Sequence, residues 1–142
     1  MSDEISGELS IRCNTIEECY EYMLAYAAQG LPSDAGSGSG GKIREHLNRA
    51  VKAISGLAES CAAEVRLQQV GPAEKFQAYF AVLDRDAKDS LASIELVLAQ
   101  PEISSQVIDN LNASIHLRAL LTDLFLLSEI LKIQSAPANT GT

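Results

Sequence analysis

No apolar run in this chain reaches the roughly 18 residues that a membrane-crossing helix needs, so no membrane span is expected. Nor does it open with a charged-then-apolar leader, and a cytoplasmic location is the expectation that follows. Cysteine is scarce. Cys13, Cys19 and Cys61 are odd in number and lack paired metal-ligand spacing, which argues against a disulfide framework or zinc cluster and for three reduced thiols. Bases are also short: 11 Lys and Arg against 19 Asp and Glu give a net charge of -8. A non-specific nucleic-acid or anionic-membrane binder needs the opposite field. Of the two histidines, neither has Glu three residues before it, so the Glu-x-x-His signature of a carboxylate-bridged dimetal bundle is missing. A Gly-x-Ser-x-Gly elbow is missing too. Catalytic residues, metal and cofactor are accordingly expected to be none.

What the chain does have is helical periodicity. Apolar residues make up 46% of its 142 residues, enough for one globular domain with a core. Residues 1–13 read as a flexible acidic arm with a brief Leu9, Ile11, Cys13 alternation, and residues 14–134 as the helical domain. The first helix follows a Thr15–Glu18 capping box, carries the stripe Ile16, Cys19, Tyr20, Met23 and Ala27, and stops at Gly30. Residues 31–41, a proline followed by glycines interleaved with serines, form a loop. The second helix spans 42–70 on Ile43, Leu47, Ala50, Ile54, Leu57, Cys61 and Val65; the third spans 72–99 on Phe76, Phe80, Leu83, Ala87, Leu91, Ile94 and Leu98. The fourth, 103–134, ends in a stretch whose leucines wrap most of its circumference, and 135–142 is a disordered tail. Strand signal is poor throughout. The expected fold is all-α, an up-and-down four-helix bundle with one short and three long helices.

Two stretches raise the question of phosphate. Gly36, Gly41 and Lys42 carry the G-x-x-x-x-G-K skeleton of a phosphate-binding loop, but Ile43 stands where Ser or Thr should hold magnesium, and no strand precedes it. A helix-to-helix linker is the better reading. Lys42, Arg44, His46 and Arg49 remain as a possible anion or phosphoryl site near a helix start. The pentad His46-Leu47-Asn48-Arg49-Ala50 loosely resembles the core of histidine-containing phosphotransfer domains, with Arg49 in place of the family's Lys and Ala50 in place of its Gly. That resemblance implies a phosphoryl-accepting His46. Asp84, Asp86 and Asp89 fall on the charged side of the third helix and read as a solvated face. Cys13, near Arg12, is the one reactive-thiol candidate. Tyr22 and Tyr79 lie off the main stripes and point to a surface or a contact.

Charge is uneven along the chain. Residues 1–30 hold six acids and one base and residues 42–70 hold five bases and three acids, so these two segments should pack side by side. A short first helix beside three long ones leaves core uncovered, and the over-apolar fourth helix points the same way. The functional expectation is a non-enzymatic adaptor, chaperone or regulatory partner, homo-oligomeric, that binds another protein through Leu120, Leu124, Phe125, Leu127, Ile130 and Leu131. The alternative is a small-ligand or phosphotransfer bundle using His46.

Overall fold

The computed structural model describes residues 7–36 and 38–135, and its regular structure among those residues is all helix, with no strand. Among the described residues six helices follow one another: α1 Gly7–Ala28, α2 Gly38–Ile54, α3 Leu57–Gln68, α4 Ala73–Leu98, α5 Ser105–Ala113 and α6 His116–Ser135. The all-α expectation holds, while the count of four does not. The expected second helix breaks into α2 and α3 where Gly56 adopts φ 72°, a left-handed conformation glycine enters without a Cβ clash. The expected fourth helix breaks into α5 and α6 at Ile115, φ 64°.

The first helix starts earlier than its capping box implies. Leu9, Cys13, Ile16, Cys19, Met23 and Tyr26 are buried at spacings of three and four, so the helical period overrides the Leu9-Ile11-Cys13 alternation, and Ile11 is left 67% exposed. Residues 7–13 are therefore helix rather than arm, and residues 1–6 lie outside the described residues. Thr15 is mid-helix, its hydroxyl bonded to the Ile11 carbonyl at 2.9 Å, and caps nothing. Tyr26, not Tyr20 or Ala27, completes the stripe; both of those are only half-buried. At 22 residues α1 is roughly 33 Å long, which removes most of the length mismatch that implied an uncovered core. The 31–41 loop is likewise shorter than expected, because α2 begins at Gly38. At the other end α6 reaches Ser135, and residues 136–142 of the expected tail lie outside the described residues.

Helix α1 packs mainly on α2 and α5, and α4 on α6, α3 and α2. The acidic first segment thus lies along the basic second one, as their charges favour. Among the described residues no ion pair joins α1 to α2. Contact comes from the apolar stripes and from Arg12, which donates to the Ala53 (3.1 Å) and Ser55 (2.7 Å) carbonyls at the end of α2.

A polar clasp joins the loop after α1 to the loop before α5. Tyr26 Oη donates to the Ile103 carbonyl at 2.7 Å, and Ser105 Oγ donates to the Tyr26 carbonyl at 2.6 Å and accepts from Leu31 N–H at 2.8 Å. Asp34 accepts from Ile103 N–H at 2.7 Å and from Arg44 Nε at 2.6 Å. The guanidinium goes on to donate to the Leu98 and Gln100 carbonyls. Burial pushes the Asp34 carboxyl up, but the donors Arg44 and Ile103 N–H more than offset this and hold it below its ordinary value.

Candidate interaction site

Six apolar residues of the last helical stretch were the expected interface, and α6 divides them. Leu120, Leu124, Leu127 and Leu131 are at most 1% exposed, packed into the chain's own core with Leu117 and Leu121. They form one face of α6 at helical spacing, and of the four only Leu127 borders a surface depression. That part of the expectation is corrected: the chain's own core, in which α6 packs mainly against α4, covers this face. Phe125 stays at the surface, 42% exposed. Ile130 is half-buried in an apolar depression with Pro72, Phe76, Tyr79 and Leu127.

The excess apolar content of α6 emerges on its other side. Leu126 and Ile133, seven residues apart, point outward at 49% and 72% exposure. Beside them a groove of about 430 Å³ runs between α1 and α6, with Tyr20, Leu24, Leu121 and Phe125 as its apolar lining. Its lips differ in charge: Glu17 and Glu21 stand on the α1 side, Arg118 and the Thr122 hydroxyl on the α6 side.

The expected anion site comes together only in part. Lys42, His46 and Arg49 share a face of α2 by their spacing of four and three. Arg44 sits on another face, its guanidinium taken up by Asp34 and two carbonyls in the clasp, and is corrected from ligand group to structural anchor. His46 is half-buried, its ring stacked on Tyr22 with centroids 4.3 Å apart and planes at 19°. Desolvation, with Arg49 and Lys42 nearby, lowers its pKa despite Glu18 and Glu45, so the imidazole is neutral at pH 7. Ile43 is fully buried, as a core position rather than a magnesium-holding one requires.

Two further expectations fail for reasons of burial. Cys13 is fully buried and its thiol is pushed up to about 11, chiefly by desolvation and then by Glu17, so it is no reactive thiolate. Cys19 and Cys61 are buried and pushed up to about 12. Asp86 is half-buried rather than fully on the solvated face of α4, and its carboxyl lies close to that of Asp123 on α6. Desolvation first, then this pairing, raises Asp123 to about 7, although Tyr79 pulls the other way. Tyr79 Oη donates to the Asp123 carbonyl at 3.0 Å. Asp123 Oδ2 is buried without a donor among the described residues, which favours the protonated form of that carboxyl. An acid inside the run Leu120 to Leu131 was the sequence signal for this pair.

Among the described residues no three His, Cys, Asp or Glu side chains gather to hold a metal, and no helix is long and apolar enough to cross a membrane. Compared with known families, curated proteins and solved structures, the chain matches no family model, no curated protein and no solved structure. Function is therefore argued from the geometry of the site alone.

Proposed function

We propose that this protein is a non-enzymatic helical interaction module that docks an amphipathic helix on the α1–α6 face, in the first instance the same face of a second copy. The observation that carries this reading is the apolar surface exposed at that groove, Phe125 of α6 at 42% and Leu24 of α1 at 49%, with Leu126 and Ile133 open on the adjoining outer side of α6. Charge favours a second copy as occupant. A two-fold axis running along the groove sets each α1 lip, Glu17 and Glu21, over the partner's Arg118 lip, an isologous arrangement in which both contacts are attractive.

Sedimentation velocity across about 1–100 μM, a range that spans a micromolar dimer, tests this directly. The expected result is a monomer–dimer equilibrium abolished by Phe125→Asp. Arg118→Glu should weaken it, and Arg118→Glu with Glu21→Arg should restore it. A wild-type chain that stays monomeric throughout the range, or a Phe125→Asp variant that dimerises equally well, rejects the reading.

A second reading rests on the neutral imidazole of His46 between Lys42 and Arg49, the protonation state that can accept a phosphoryl group. Incubation with phosphoramidate should then give a phosphohistidine signal in ³¹P NMR that disappears in His46→Ala. A signal surviving in that variant, or none in the wild type, ends it.

A further inference from the structure

We infer a second docking surface, independent of the α1–α6 groove: the cleft between α1 and α2 takes an acidic, amphipathic segment of a partner protein. The cleft, about 630 Å³, is bounded by Glu8, Ile11, Arg12 and Thr15 of α1 and by Arg49, Lys52 and Ala53 of α2. On α1 its residues lie about nine positions before those of the other groove, roughly 180° round the helix, so the two surfaces face away from each other.

Charge identifies the occupant. In a chain of net charge -8 this cleft is locally basic, and its cations are not equally available. Arg12 is committed to Glu8 at 3.3 Å and to the Ala53 and Ser55 carbonyls. Arg49 and Lys52 are exposed and make no ion pair or hydrogen bond with any described residue. They stand three residues apart on one face of α2, about 5 Å, the spacing at which i,i+3 or i,i+4 carboxylates on a partner helix present themselves. Beside them Ile11 is 67% exposed, with Thr15 and Ala53 completing an apolar floor. A free inorganic anion has no use for that floor, whereas a helix with one acidic and one apolar face satisfies both halves. The overall negative charge does not prevent approach, because at physiological salt fields are screened beyond about 8 Å and the nearest cations dominate.

The test uses the full chain and a fluorescein-labelled helical peptide of about 14 residues, four turns, with leucine along one face and glutamate elsewhere. Its partner is a glutamine-for-glutamate version, and fluorescence anisotropy gives the affinities. The expected result is saturable binding of the glutamate peptide, weakened about tenfold or more in the Arg49→Glu/Lys52→Glu variant and in the glutamine peptide, and weakened separately by Ile11→Asp. Circular dichroism confirms that these surface variants stay folded. Equal affinity for both peptides, undiminished binding by Arg49→Glu/Lys52→Glu, or no binding by the wild type overturns the proposal. So does complete displacement by a few millimolar inorganic phosphate with Ile11→Asp indistinguishable from wild type, since that describes an anion site without the apolar half.

Discussion

Asp34 and Asp123 carry the same side chain in opposite electrostatic surroundings, and the protein's response to pH divides between them. Asp34 faces Arg44 and the Ile103 N–H and titrates below its ordinary value. The unfolded chain therefore binds the proton first as pH falls, so the stability from Asp34 is present above the unfolded value of 3.8 and is lost as pH drops through the folded value. Asp34→Asn should cost about 2 kcal/mol at pH 7, the worth of charge-assisted hydrogen bonds that hold two loops, with the deficit shrinking below about pH 4. Urea melts at pH 7 and pH 3 check it, and equal deficits at both would show that the charge is immaterial. Asp123 runs the other way. Its folded value of about 7 lies above the unfolded 3.8, so the native state holds the proton longer and stability is lost as pH rises between the two. Asp123→Asn, which keeps a donor toward Asp86, should stabilise the protein at pH 8 by about 1–2 kcal/mol, discounted from full linkage because the pair is partly exposed. The gain should vanish near pH 4, and a gain independent of pH would remove the ionisation of Asp123 as its cause.

At the scale of elements, the sequence was legible wherever period alone decides. Apart from the first two turns of α1, expected as an arm, the helical stretches were readable from their apolar spacing, and so were Ile43 as a core position and a loop before α2. The breaks were not, because a long stripe continues across a kink when both flanking helices bury the same side: Ile54, Leu57 and Cys61 are all buried on either side of Gly56. Gly56 itself was the available signal. Its φ of 72° leads to Gly56→Ala costing about 1 kcal/mol through the backbone, since the added Cβ meets nothing closer than Glu59 Oε1 at 3.9 Å. Ile115 gave no such signal, for a β-branched residue at φ 64° is the type least expected there. Ile115→Asn should therefore raise stability by about 0.5–1 kcal/mol, because Asn tolerates the left-handed region and Ile115 is 58% exposed with little packing to lose. Thermal melts of the two variants should move in opposite directions; a destabilised Ile115→Asn would mean that the side chain, not the backbone, sets the bend between α5 and α6.

For the whole molecule, the candidate site was half legible because apolar count along a helix does not say which side is covered. The run Leu117 to Ile133 has more apolar residues than one buried face can use, and that excess was visible; which residues formed the excess was not. It depended on how the other helices, chiefly α4, pack around α6 and leave Leu120, Leu124, Leu127 and Leu131 at most 1% exposed. The surplus is then Phe125, Leu126 and Ile133. Two aspartates placed two residues apart separate these roles. Leu127→Asp puts a carboxylate where the native side chain is 1% exposed, and the cost of burying it unpaired, several kcal/mol, takes a large share of the stability of a domain this size. Loss of the cooperative melt and of helical circular dichroism is the expected outcome. Phe125→Asp adds its charge to a surface already 42% open, so the melt should shift by less than about 1 kcal/mol while self-association is lost. If Leu127→Asp instead remained folded and merely dissociated, the core assignment of α6 would be wrong and its leucines would be free to form the interface.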